Sequence, residues 1–220
     1  MKVLVFAPHP DDEILGVGGS IAKYISLGHD VCVCIVTCGK PPIFTESEAK
    51  KVRNETDLAH RFLGITETIR YDFPAVMIEK CNRYKVNDAL QKVISNTKPD
   101  IVYIPHCYDI QKDHQIVAEA AMVALRPKHN NNVKKIYAYE TLSETEWNIS
   151  NSVNAFTPTT WNDISGFLDI KIEAMKKYES QLASFPNPRS IEAIQALAKY
   201  RGSNICIEAA EAFVNIRTIE

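Results

Sequence analysis

Two short stretches of this 220-residue sequence concentrate the residue types that bind metals and move protons. The first is His9-Pro10-Asp11-Asp12-Glu13, directly after the β-branched run KVLVFAP at 2–8. The second is His106-Cys107-Tyr108-Asp109-Ile110-Gln111-Lys112-Asp113-His114, after DIVYIP at 100–105. Imidazole nitrogen and carboxylate oxygen form the donor set of a catalytic zinc, which takes three protein ligands and keeps a position for water. His9, one carboxylate of the first cluster and His114 supply that set. Two adjacent carboxylates at a helix start can point in different directions, so one can hold a metal while the other takes a proton from water and returns it to a leaving group. A purely structural account competes: acids in a first helical turn suit the macrodipole, and Asp is a common N-cap. What favours chemistry is convergence, because both clusters follow strands.

The elements needed to position them are legible. Strands are expected at 2–8, 30–38, 67–73, 100–105 and 134–141, and helices at 14–28, 46–63, 83–97 and 113–126. Gly28 and Gly64 suit helix C-caps. Alternating strands and helices imply an α/β fold with a mostly parallel sheet covered by helices on both faces. Ligands in such sheets gather at the carboxyl ends of the strands, where both clusters fall. Beyond 142 the chain turns polar and aromatic. Helices are expected at 163–183 and 190–201, with a last strand or helix at 204–217, all read as a capping segment on one domain spanning 1–220. Asn130-Asn131-Asn132 reads as a turn.

Composition narrows the function classes. Twenty-five basic and 27 acidic residues leave a net charge of -2, which gives no basic field for a phosphate backbone, so no nucleic-acid partner is expected. The apolar runs are too short to span a bilayer and no secretory signal pattern opens the chain, so no membrane span and a cytoplasmic location are expected. Cys32, Cys34 and Cys38 have the spacing of one strand face and read as small buried hydrophobes, not as a thiolate site. Cys81, Cys107 and Cys206 have no ligand spacing.

APHPDDEILGVGGSIA at 7–22 resembles the signature of the PIG-L/LmbE-like zinc deacetylases, which remove the acetyl group from N-acetylglucosamine units of glycoconjugates. YDIQKDHQIVAEAA is similar to the family's downstream metal-binding stretch. Weaker likeness runs through ETDLAHRFLG at 55–64, TEW at 145–147, KIEAMKKYESQ at 171–181 and RGSNICIEAAEAF at 201–213. The resemblance implies a Rossmann-like core over 1–141 and a cap with C-terminal helices over 142–220. It makes His9, Asp12 and His114 the ligands of zinc or another divalent transition metal, and Asp11 the general base. Glu13 becomes a supporting group, and Asp113 orients an imidazole or the substrate. The implied reaction is hydrolysis of an N-acetyl amide on a small amino-sugar conjugate; a homo-oligomer is compatible with the sequence.

The sequence departs from the family three residues before His114, where members usually carry a histidine and this chain has Gln111. An amide donates a hydrogen bond but supplies no proton near pH 7. Asp11 acting as both base and acid, or compensation by His106 or Tyr108, are the readings open here. The alternative function is a non-hydrolytic sugar- or metal-binding member of the same fold. A nucleotide-binding enzyme is a third reading, but Gly16, Gly18 and Gly19 lack the dinucleotide spacing and acids fill the turn; tight helix packing explains them better. Arg53 is a candidate substrate-binding residue or a solvated helix charge, and His106 a candidate substrate-binding residue from the second loop. Trp147 and Trp161, with Tyr137 and Tyr139, form either a sugar-stacking wall or buried packing.

Overall fold

In a computed structural model, described at residues 1–129, 133–149 and 151–220, the first half of the chain alternates strand and helix as the sequence implies. The elements are β1 (Lys2–Ala7), α1 (Asp12–Ser26), β2 (Asp30–Cys38), α2 (Glu46–Leu63), β3 (Glu67–Pro74), α3 (Arg83–Thr97), β4 (Ile101–Pro105), α4 (Lys112–Ala124) and β5 (Lys135–Tyr139). The turn expected at Asn130–Asn132 lies outside the described residues. Five parallel strands run in the order β3-β2-β1-β4-β5. The order reverses between β1 and β4. That reversal opens a crevice at the carboxyl ends of these two strands, because the crossovers leaving them go to opposite faces. The pleat of β1 divides the core accordingly: Val3, Val5 and Ala7 pack under α1 and α2, while Leu4 and Phe6 pack under α3 and α4.

The C-terminal part departs from expectation. In place of one helix over 163–183 the chain forms β6 (Thr160–Asp163), α5 (Leu168–Met175) and a short 3₁₀ turn, followed by α6 (Ile191–Ser203) and β7 (Ala210–Thr218). β7 pairs antiparallel with β5, and β6 with β7, so the segment read as a cap also extends the sheet. β6 is four residues long with no fully buried side chain, too short for periodicity to mark it as a strand.

The glycines of α1 have the packing role expected of them. A Cβ at Gly16 would overlap the Tyr139 ring, and one at Gly19 would sit 2.7 Å from Ile164 Cδ1. The helix therefore lies closer to β5 and the β6–α5 connection than any side chain would permit. Glu211 of β7 accepts the Gly19 and Ser20 N–H groups, each at 2.8 Å, and Lys171 of α5 donates to the Leu15 carbonyl and to Glu211, each at 2.7 Å. This buried pair locks the last strand onto α1. Cys32 and Cys34 are buried together in the α3/α4-side core, and all six cysteines are free thiols. Among the described residues, no helix is long and apolar enough to cross a membrane.

Candidate active site

β1 ends at Ala7, and the turn His9–Asp11 carries the chain into α1. Asp11, the residue before the helix, has φ 99°, a left-handed conformation without glycine's freedom. Val76, on the neighbouring loop after β3, also has positive φ, 64°. A β-branched residue there is strained, and such strain collects where surrounding contacts fix a functional geometry. Here the Val76 N–H donates to Asp113 Oδ2 at 2.6 Å, and Asp113 in turn accepts from His9 Nε2 at 2.8 Å.

The two sequence clusters meet across the β1/β4 crevice. His9, Asp12 and His114 each offer a donor atom, all within 4.8 Å of one another. Each imidazole is held through its far nitrogen. His9 donates from Nε2 to Asp113, and His114 from Nδ1 to Asp109 Oδ2 at 2.8 Å. Asp109 is itself held by the Thr145 hydroxyl at 2.6 Å. The nitrogens left over, His9 Nδ1 and His114 Nε2, lie 3.4 and 3.2 Å from Asp12 Oδ2. His114 Nε2 and Asp12 Oδ1 are buried without a hydrogen-bond partner. Buried orphans of this kind carry a desolvation cost that a cation between them would offset. The donor set therefore fits a divalent metal.

The electrostatics separate the two adjacent aspartates. Burial opposes ionisation of Asp12, but His114 and His9 outweigh it and hold its carboxyl far below the usual range. Burial pushes Asp11 up, Arg189 pulls it back, and repulsion from Asp12 and Glu13 leaves it at about 7. Burial also opposes charging of His9 and His114. Hydrogen bonds to Asp113 and Asp12 nonetheless raise His9 to about 9, and the charges of Asp12 and Asp109 raise His114 well above the ordinary value.

Asp11, Gln111, Glu144, Trp147, Arg53 and Arg189 are among the residues lining a cavity of about 820 Å³, a volume within the range for small-molecule sites. Glu13 lies beneath, accepting from the Tyr178 hydroxyl at 2.7 Å, His60 Nε2 at 3.1 Å and the Asp11 N–H at 3.1 Å. Arg53 is exposed at the cavity rim. Gln111 precedes α4 and its Oε1 is buried without a partner. Of the aromatic candidates Trp147 alone lines the cavity; Tyr139 is buried, donating to the Phe6 carbonyl at 2.8 Å.

His106 is not brought to the cavity. It is buried edge-on against Phe156, with Nε2 3.2 Å from the Asn154 carbonyl. The residue following β4 points to the 151–156 segment, a direction that sequence spacing does not encode. Tyr108 is also absent from the lining. Conversely, Glu144 and Arg189 were not singled out in the sequence. Glu144 accepts the Gln111 N–H at 3.3 Å and is pushed up to about 7, chiefly by burial, against the charge of His114. Arg189 pairs with Asp11. Neither lies in a cluster, and only the folded chain brings them in. Asp109 stood inside a cluster, and its place five residues before His114 was the available signal.

A doubly wound α/β protein with a His/Asp/His set and a separate carboxylate at its switch point belongs structurally with enzymes that work on small ligands at strand ends. The sequence model of PIG-L, described as GlcNAc-PI de-N-acetylase, matches residues 4–125, and the chain belongs to this family. It is 26% identical over 192 residues to a probable N-acetyl-alpha-D-glucosaminyl L-malate deacetylase 2 of Bacillus anthracis, covering 83% of this chain and 82% of that one. The N,N'-diacetylchitobiose deacetylase of Pyrococcus horikoshii superposes with a TM-score of 0.78 at 22% identity, over 98% of this chain and 84% of that one. GalB, a 4-carboxy-2-hydroxymuconate hydratase of Pseudomonas putida, superposes with 0.79 at 20% identity, over 100% and 98%. These two likenesses establish the fold; the chemistry has to come from the site.

Proposed function

We propose that this protein hydrolyses the N-acetyl amide of an N-acetylated amino sugar, of N-acetylglucosamine type within a small conjugate, releasing acetate and a free amine. The observation that carries the reading is the buried His9/Asp12/His114 set beside Asp11, whose Oδ1 is buried and unpartnered next to the cavity. Family membership and the deacetylase relative support it. Zinc suits the donor set, and iron, cobalt or manganese share it. A metal held there supplies Lewis acidity toward the amide carbonyl and makes nearby water more acidic. Asp113 and Asp109 hold the two imidazoles in the tautomers that turn His9 Nδ1 and His114 Nε2 inward. Asp11 takes the proton of the attacking water at Oδ1 and returns it to the nitrogen as the C–N bond breaks. Gln111 contributes its amide as a hydrogen-bond donor to the substrate, Arg53 binds the acceptor at the rim, and Trp147 offers a face for the sugar. A cytoplasmic location fits six free thiols, of which Cys107 and Cys206 are exposed.

The test is elemental analysis of wild type and His114→Ala, paired with an acetate-release assay on N-acetylglucosamine conjugates. About one zinc per chain, lost in the variant, with acetate released by wild type, is the expected result. Metal without acetate from any amino sugar would favour the non-hydrolytic reading that Gln111 keeps in view. No metal after zinc is added back would overturn the metal assignment.

A further inference from the structure

Arg189 reaches the crevice from the loop between the 3₁₀ turn Glu179–Gln181 and α6, and it touches the free carboxylate, not the metal-facing set. Its backbone is fixed before its side chain is. The Asn187 side-chain oxygen accepts the Arg189 N–H at 2.9 Å, Ala183 donates to the Arg189 carbonyl at 3.2 Å, and Ser190 caps α6 through the Ala193 N–H at 3.1 Å. From that base the guanidinium spans two partners, Nη1 on Asp11 Oδ2 and Nε on Ser143 Oγ at 2.9 Å. Both partners are non-glycine residues with positive φ, 99° and 72°, and all three residues line the cavity.

The two oxygens of Asp11 are therefore unequal. Oδ2 is held and Oδ1 is buried with no partner. The terminal torsion of an aspartate is broad and roughly two-fold, so a carboxylate tied by nothing would sample many planes. A planar guanidinium bound to one oxygen and anchored elsewhere by Ser143 removes that freedom. This is the arrangement in which a base is oriented by a third group.

We propose that Arg189 is the positioning residue of Asp11: it fixes the plane of the carboxylate so that Oδ1 faces the water attacking the amide. The inference rests on the deacetylase reading above. Arg189 exchanges no proton in this role, and the Asp11–Arg189 contact ties the 182–190 loop to the start of α1.

The experiment compares Arg189→Ala, Arg189→Lys, Asp11→Asn and the double variant Asp11→Asn/Arg189→Ala, measuring kcat and KM for acetate release and bound zinc. Misplacing a base costs on the order of 100-fold, so Arg189→Ala is expected to lose about that in kcat, with KM within about threefold and zinc content unchanged. Added guanidinium chloride in the low millimolar range should restore part of kcat to Arg189→Ala and none to the double variant, which should be no slower than Asp11→Asn. Arg189→Lys, which keeps the charge if the alanine variant does not fold, should fall between the alanine variant and wild type. A rise in KM at constant kcat would make Arg189 a substrate-binding residue and overturn the proposal. So would losses that multiply in the double variant, or an unaffected Arg189→Ala. Wild type that releases no acetate would instead sink the deacetylase reading, and this inference with it.

Discussion

Asp11 and Asp12 are neighbours of the same chemical type, yet the fold drives their acidities apart. Asp12 faces two imidazoles and stays ionised; Asp11 faces a cavity, two other acids and one arginine. A ligand and a base are separated in this way. Asp11→Asn should retain zinc and lose at least about 100-fold in turnover, the usual scale of general-base catalysis; full activity in that variant would remove Asp11 from the reaction. Gln111→His restores the family's usual residue at a position lining the cavity, and should raise the rate near neutral pH on a simple N-acetyl sugar; a fall would mean the site is built around the amide. The same groups set a pH signature in metal-free protein. Asp11 and Glu144 carry raised folded pKa values of about 7 and His9 of about 9, so the folded chain keeps protons that the unfolded chain releases from about pH 4 and 6.5. Stability then falls as pH rises through these windows. The depressed Asp12 acts oppositely, only below about pH 4, where the unfolded carboxyl protonates. Metal binding needs neutral imidazoles and gains with pH. The metal-free Tm should accordingly be lower at pH 8.5 than at pH 5.5 by scanning calorimetry, while added zinc should raise it more at pH 8.5; equal Tm values in chelator would contradict the assignment of these shifts.

Among the elements, α1 carries the heaviest positional demand, since its first residue is Asp12 and its fifth is Gly16. Alanine is the better helix former by about 1 kcal/mol, yet Gly16→Ala should destabilise. The Tyr139 ring it would strike is buried and held by its hydroxyl on the Phe6 carbonyl. Overpacking costs about 1–3 kcal/mol, which outweighs that gain by up to about 2 kcal/mol, so a net Tm loss of up to roughly 8 °C is expected for a chain of this size. Gly166→Ala, with nothing within 4 Å of the added carbon, is the control and should leave Tm within about 2 °C. The close-packing role of these glycines was legible because acids, not glycines, occupy the turn before the helix. The parallel strands were legible because β1, β2 and β4 are short apolar runs bounded by turn residues, and each of the first four strands precedes a helix-length run. β6 and β7 were not. Thr160–Asp163 is four residues without alternation, and β7 is defined by pairing with β5, a partner about 75 residues earlier in the chain.

At the scale of the molecule, the site is assembled from one local and one distant set of residues, and that division explains what the sequence disclosed. His9, Asp11, Asp12, Asp109, Asp113 and His114 stand in two contiguous clusters, each after a strand, so residue type and topology sufficed to bring them together. Glu144 and Arg189 carry no motif, and Lys171 and Glu211 lie in stretches of only weak likeness; their partners lie 33 to 192 positions away. The last pair shows how the chain's end bears on its beginning. Lys171 takes the Leu15 carbonyl and Glu211 the Gly19 N–H, groups that a regular helix would pair with each other. Side chains from α5 and β7 thus hydrogen-bond to the backbone of the helix that begins with Asp12. Lys171→Met should leave the Glu211 carboxylate buried without its cation and cost about 3–5 kcal/mol. Lys171→Met/Glu211→Gln should recover a large part of that loss, because a neutral amide oxygen still accepts the Gly19 and Ser20 N–H groups. Urea unfolding gives the two stabilities, and amide hydrogen exchange over 210–218 should quicken in the single variant before the rest of the sheet does. If the double variant is as unstable as the single one, the cost lies in lost packing of the lysine stem and not in an uncompensated charge.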